Sequence, residues 1–188
     1  MRIISGSARG RKLLAPGRRF GDLIRPTSDR AREAIFNILG AKVVGARVLD
    51  LFAGTGALGL EALSRGAALA VFVDGQRSVT ELIERNIGLC GFAERATVLQ
   101  RNLAEGLAFL ASKQPADGFD LVFLDPPYGA TLALRGLESL AGGNFLAAKG
   151  IVVLEDAAAA QYPQVAGPLV CFDRRRYGEA GFWLYRHT

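Results

Sequence analysis

From residue 27 onward the chain alternates between two spacings of apolar positions. Ala31, Ala34, Ile35, Ile38 and Leu39 stand at i, i+3, i+4, i+7 and i+8, the stripe of one helix face. Thr27, Ser28 and Asp29 offer N-caps ahead of it and Gly40 a stop behind it. Residues 46–52 read as a buried strand and 57–65 as a helix closed by Gly66. Residues 68–73 read as a second strand. The Ser78-Val-Thr-Glu81 pattern of a capping box then opens a helix whose buried stripe is Val79, Leu82, Ile83 and Ile87. Further strands are predicted at 96–100, 119–124 and 151–154, with helical stretches between them.

Strands rich in Val, Leu and Phe without strict alternation are expected where a parallel sheet is covered on both faces. The last two runs, 169–173 and 181–185, are joined by a segment too short for a parallel crossover, so they pair antiparallel. Ahead of the main pattern, short β-like runs at 2–5 and 11–14 flank a turn-prone stretch at 6–10, which predicts a small hairpin. The fold class is therefore α/β: a doubly wound, mostly parallel, seven-stranded Rossmann-like sheet with an antiparallel C-terminal hairpin and a small N-terminal β-hairpin extension. Residues 1–26 form the extension and 27–188 the main domain.

Composition narrows the chemistry. A chain of 188 residues, half of them hydrophobic, can bury one core. Its longest apolar stretch, 67–73, is far shorter than the ~20 residues of a membrane span, and the first residues lack the apolar region of a secretory signal. A cytoplasmic protein is expected. Cys90 and Cys171 lie far apart and His187 is the only histidine, so no Cys/His zinc site, disulfide framework or histidine triad is expected, and no metal.

The net charge of +5 is unevenly spread. Residues 1–32 hold nine basic residues (Arg2, Arg9, Arg11, Lys12, Arg18, Arg19, Arg25, Arg30 and Arg32) against Asp22 and Asp29. That segment carries +7 and the rest of the chain −2. A basic arm on a near-neutral body suits a phosphate backbone, and arginine's planar fork binds phosphate bidentately; a solvated face is the plainer alternative.

Ligands of such sheets bind at the carboxyl ends of the strands, and two motifs lie there. Asp50-Leu-Phe-Ala-Gly-Thr-Gly56, with Gly59, contains the G-x-G-x-x-G fingerprint of an adenosine cofactor, and Asp74 ends the next strand, placed to accept ribose hydroxyls. Phe52, Ala53, Gly54 and Gly56 are the candidate loop contacts. A carboxylate at Asp50 is out of place beside a pyrophosphate but suits a cofactor with an ammonium group and no phosphate, which points to S-adenosylmethionine; Asp50 could equally tie down loop donors. Asp125-Pro-Pro-Tyr128 follows the fourth strand. Its prolines hold Asp125 extended, so the Asp125 carboxylate and the Pro126 carbonyl make two rigid acceptors for an amino group. Tyr128 can stack on a planar ring. Accepting both N–H hydrogens of an exocyclic base amine localises its lone pair toward an electrophilic methyl. Asn102 and Leu103, past the third strand, fall where an adenine would sit, although Asn102 also suits a loop cap. Glu155 ends the fifth strand. Arg174, in the run Arg174-Arg-Arg176-Tyr177-Gly178, combines charge and an aromatic as RNA binders do.

These residues resemble the RsmD-type family of bacterial 16S rRNA guanine-N2 methyltransferases, a class I S-adenosylmethionine-dependent group. The resemblance rests on Arg2-Ile-Ile-Ser-Gly6 with Gly10-Arg-Lys12, on Arg25-Pro-Thr-Ser-Asp-Arg-Ala-Arg-Glu-Ala-Ile-Phe36, on the Asp50–Gly56 and Asp125–Tyr128 motifs, and on Arg176-Tyr-Gly178. It implies methyl transfer to N2 of a guanine in 16S rRNA, within the small ribosomal subunit or an assembly intermediate. Asp74 stands where many relatives carry the longer Glu. The candidate RNA contacts are then Arg9, Arg11, Lys12, Arg25, Arg32 and Arg174. Three alternatives stay open: a DNA adenine-N6 or cytosine-N4 methyltransferase, a nucleotide-dependent oxidoreductase, and a non-catalytic RNA-binding assembly factor.

Overall fold

In the computed structural model, which describes residues 1–15, 29–126 and 130–188, one sheet organises the chain. Its strands are β1 (Arg47–Leu51), β2 (Leu69–Asp74), β3 (Ala96–Gln100), β4 (Phe119–Leu124), β5 (Leu146–Ala157), β6 (Val165–Ala166), β7 (Leu169–Tyr177) and β8 (Ala180–His187). Their order is β3-β2-β1-β4-β5-β8-β7-β6. The first five are parallel and the last three antiparallel, as the connection lengths require. Strand order reverses between β1 and β4, so a crevice opens there at the carboxyl ends.

Helices α1 (Asp29–Leu39), α2 (Ala57–Ser64) and α3 (Arg77–Cys90) lie with the N-terminal segment on one face, packing Ile35, Phe36, Leu60, Ile83 and Ile3 against Phe72 and Phe123. We call this the inner face. Helix α4 (Ala130–Gly142) covers the other, where Leu137 and Leu140 meet Val122, Leu124, Trp183 and Tyr185.

Four details differ from expectation. The sheet has eight strands rather than seven, because Val165–Ala166 adds a two-residue edge too short to read from its pattern. Strand β5 extends well past 151–154 on both sides, with an irregular register beside Phe119 at its start and polar Glu155 and Asp156 at its end. Between β3 and β4 the chain forms 3-10 turns at Leu103–Glu105 and Ala108–Ser112 instead of a full helix, broken at Gly106 with φ 88°. The cap of α3 is Gln76, not Ser78: Glu81 pairs with Arg77 at 2.9 Å, one turn away, and the Thr80 hydroxyl donates to the Arg77 carbonyl.

The N-terminal segment is a hairpin docked on α2 and α3. Arg2 and Lys12 form an antiparallel bridge, and the Ile3 N–H donates to the Arg11 carbonyl at 2.9 Å. Buried Glu61 of α2 accepts the Ile4 and Ser5 N–H groups at 2.7 and 3.0 Å. Ser64 accepts the Ala8 N–H, and Asn86 exchanges bonds with the Leu14 backbone. The hairpin runs the length of α2, from Met1 and Leu14 near the β1 loop to Ser7 and Ala8 at the helix's C-terminal end.

Candidate active site

The residues expected to hold the cofactor converge on the crevice. Strand β1 ends at Leu51, and Phe52 then adopts φ 59°, unusual for a bulky side chain and a mark of a loop held by its surroundings. Gly54 and Gly56 follow at φ 56° and 76°, values that glycine alone adopts at no steric cost. The loop is tied at several points. The Ala53 N–H donates to the Val73 carbonyl, and the Gly54 N–H to Asp74 Oδ2 at 3.2 Å. The Asn86 amide donates to the Thr55 carbonyl from below at 2.9 Å. Gly59 completes the motif through packing: a Cβ there would lie 2.3 Å from Phe72 Cε1, so α2 meets the sheet closely only without a side chain.

Asp50 is buried and accepts the Gly59 N–H at 2.8 Å. Burial pushes its carboxyl up to about 7, the Gly59 bond opposing and the charge of Asp74 adding. Asp50 does hold a loop donor, and it is also a desolvated acid that a cation in the crevice would return to its charged form. Asp74 is half-buried, with Oδ1 accepting the Gln76 N–H at 3.0 Å; desolvation raises its carboxyl, opposed by the N–H groups of Gln76, Gly54 and Gly75. A glycine-lined loop beside one buried and one half-buried acid fits a cofactor carrying a ribose and an ammonium group, where Asp74 would accept the hydroxyls and Asp50 would meet the charge.

Asp125 and Pro126 leave β4 across the crevice from that loop, Asp125 half-buried and Pro126 buried. Leu124 pairs with Leu51 on one side and Leu154 on the other, so Asp125 and Glu155 are the next residues on adjacent strands. Desolvation holds the Asp125 carboxyl well above the usual range, with Glu155, Asp50 and Asp156 adding to it. Among the described residues no group of acids is arranged to hold a metal ion.

Of the remaining expected residues, Asn102 and Leu103 follow Arg101, whose N–H donates to the Asp74 carbonyl, whereas the basic ones scatter. Asn102 caps the turn after β3, accepting the Ala104 N–H at 3.1 Å and donating to Glu105 at 3.0 Å. Leu103 lines a cleft of about 470 Å³ between that turn and Arg135, Glu138 and Ser139 of α4. Arg9, Arg11 and Lys12 are exposed on the docked hairpin, Arg11 donating to the Leu89 carbonyl at 2.9 Å. Arg32 is fully buried: it donates to the Arg2 carbonyl and to Asp29, with its Nε 3.9 Å from Glu61. A guanidinium held this way positions the N-terminal segment rather than meeting a phosphate. Arg174 lies on Trp183, its guanidinium 5.0 Å from the ring centroid. Tyr128 and Arg25 lie outside the described residues.

Residues 1–186 match the family model described as "Conserved hypothetical protein 95". The chain belongs to this family, the RsmD family. It is 38% identical over 186 residues to "Putative rRNA methyltransferase YlbH" of Bacillus subtilis (strain 168), covering 99% of this chain and 98% of that protein. It is 36% identical to "Ribosomal RNA small subunit methyltransferase D" of Escherichia coli (strain K12), covering 99% of this chain and 89% of that one. A solved structure, "Putative methyltransferase yhhF from Escherichia coli", superposes with a TM-score of 0.84 at 36% identity, covering 100% of this chain and 98% of that chain.

For this RsmD-family chain, sequence reasoning passed over the polar residues that seat the hairpin. Glu61 lies between Leu60 and Ala62 in a helix buried on every side, and Arg32 shares the apolar stripe of Ala31, Ile35 and Leu39. A charge inside an apolar stripe was the available signal, and it marks a buried partner more often than a free cation.

Proposed function

We propose that this S-adenosylmethionine-dependent ribosomal RNA methyltransferase acts on the exocyclic N2 of a guanine in 16S rRNA, presented by the small subunit or its assembly intermediate in the cytoplasm. The observation that carries the reading is the position of Asp125 and Pro126 at the end of β4, across the crevice from the Asp50–Gly56 loop and Asp74. S-adenosylmethionine supplies an electrophilic methyl on its sulfonium. The Asp125 carboxylate and the Pro126 carbonyl accept the two amine hydrogens, and Tyr128 stacks on a base turned out of its loop. With that cofactor bound, the amine nitrogen would take the methyl as the C–S bond broke, and the proton it shed would pass to the Asp125 carboxylate or water. Positioning in a water-poor crevice provides most of the rate.

We also propose that Phe52, Ala53, Gly54, Gly56, Asn102 and Leu103 complete the cofactor site. Residues 1–26 serve as a substrate-binding extension of a methyltransferase domain over 27–188. The test is methyl transfer from radiolabelled S-adenosylmethionine to small subunits from cells lacking this enzyme, with naked 16S rRNA, duplex DNA and Asp125→Ala in parallel. N2-methylguanosine on subunits, lost in Asp125→Ala while cofactor binding persists, is the expected result. Methyladenine or methylcytosine in DNA overturns the substrate, and cofactor binding without transfer favours an assembly factor.

A further inference from the structure

Strand β7 carries Arg174, Arg175 and Arg176 in succession, all exposed, and the question is which of them faces the reacting base. Cys171 belongs to the outer-face core, so plain alternation would put Arg174 and Arg176 on the inner face with Asp125. The strand instead shifts register between Cys171 and Asp173, with Phe172 the extra residue. Such a bulge moves every later side chain to the opposite face. Contacts bear this out. Arg174 lies over Trp183 of the outer core, whereas Tyr177 meets Phe182 of the inner core edge-on at 5.9 Å.

Register then joins β7 to the site. Glu155 of β5 pairs with Phe182 of β8, which pairs with Arg175 of β7, and Glu155 lies beside Asp125 on β4. At about 4.8 Å per strand, Arg175 is about 14 Å from Asp125 along one row of one face, a few nucleotides of an RNA strand. Beyond Val170 no described strand pairs with the far edge of β7, because β6 covers only Leu169 and Val170. Arg175 is half-exposed and pairs with Asp173 at 3.0 Å, a surface pair that yields readily to a phosphate. Besides Asp173, the nearby acids are Glu155 and Glu179, each with partners of its own.

We infer that Arg175 and Tyr177 form the platform for the RNA strand flanking the target base, Arg175 neutralising a phosphate and Tyr177 stacking on a neighbouring base. This rests on the RNA reading above. It assigns the contact to Arg175 rather than Arg174, and to the same rim of the sheet as Asp125.

The test measures binding of a 16S rRNA fragment spanning the methylated nucleotide, at several salt concentrations, for the wild type, Arg175→Glu, Tyr177→Ala, Tyr177→Phe and Lys149→Glu. Lys149 is exposed near the opposite end of β5 and controls for net charge. Arg175→Glu should weaken binding about tenfold and lower the salt slope by about 0.7, one phosphate of a single strand. Tyr177→Ala should weaken it about tenfold and Tyr177→Phe little, because stacking needs the ring and not the hydroxyl. Cofactor affinity and kcat at saturating RNA should stay within about twofold, and Lys149→Glu should match the wild type. Unchanged affinity and slope in Arg175→Glu, with wild-type methylation intact, overturns the platform and leaves the RNA reading standing. Where only the small subunit is bound and methylated, the same variants are read on subunits with the same expected losses; failure of the wild type to bind or methylate both fragment and subunit overturns both.

Discussion

Asp50 is an acid inside a strand, and its neighbours decide its charge. Its carboxyl sits near 7 in the fold against 3.8 ordinarily, chiefly through burial. A folded value above the unfolded one means that ionisation opposes folding. The stability is full below about pH 4 and is lost as pH rises through about 7, on the order of 4 kcal/mol in the limit. A cationic ligand reverses the preference, because it needs the carboxylate. Cofactor affinity of the wild type should therefore fall as pH drops below about 7, and Asp50→Asn should bind at least about tenfold more weakly with a flat pH profile. Asparagine can still accept the Gly59 N–H, so the empty variant should lose less stability than the wild type between pH 5 and 8. Calorimetric titration and thermal melts across that range check both. An Asp50→Asn protein with wild-type affinity at pH 8 would show that Asp50 serves the loop alone.

At the scale of elements, the join between the N-terminal hairpin and α2 centres on Glu61, with Ser64 holding the hairpin tip. Glu61 accepts two backbone N–H groups, pairs with Arg65 at 2.7 Å and lies 3.9 Å from Arg32, all at a buried position. Removing it leaves the buried Arg32 guanidinium with Asp29 as its remaining counter-charge and two hairpin N–H groups without an acceptor. Glu61→Ala should cost about 3–5 kcal/mol in urea denaturation and speed amide exchange at Ile4 and Ser5 ahead of the sheet. A loss below about 1 kcal/mol would mean that the packing of Ile3, Ala8 and Leu13 and the Ser64 and Asn86 bonds hold the hairpin without it. The bulge in β7 acts at the same scale, since one extra residue decides which arginines share a face with Asp125.

At the scale of the molecule, the exposed basic residues of β7 and those of the N-terminal hairpin stand toward two different rims of the sheet. Arg175 and Tyr177 stand at the carboxyl ends of the strands, whereas the hairpin tip with Arg9 lies by the C-terminal end of α2, toward the other rim. A substrate touching both has to be large and folded. Reversing Arg9 and Arg11 together should weaken binding to the small subunit and lower its salt slope, while a short fragment around the target base and the cofactor bind as before. Equal weakening on subunit and fragment would place the hairpin beside the base instead.

Much of the crevice was legible because its signals are local. Glycines that adopt positive φ, a proline directly after Asp125 that restricts its backbone, and apolar runs that end in acids depend on neighbours along the chain, so they appear in order whatever the tertiary arrangement. What depends on distant neighbours was not legible. The reversal of strand order between β1 and β4 brings Asp50 and Asp125, seventy-five positions apart, to one crevice. Arg32 reads as an RNA contact and Glu61 as an ordinary helix charge until the hairpin covers them. The raised carboxyl of Asp50 comes from burial under α2, and the face chosen by Arg175 comes from a bulge between β7 and β8. By itself the sequence determined which residues are candidates for the chemistry and at which strand ends they stand. Only the tertiary structure decided which of them share a face, which are buried and what charge they hold, because burial and register are set by contacts between segments far apart in the chain.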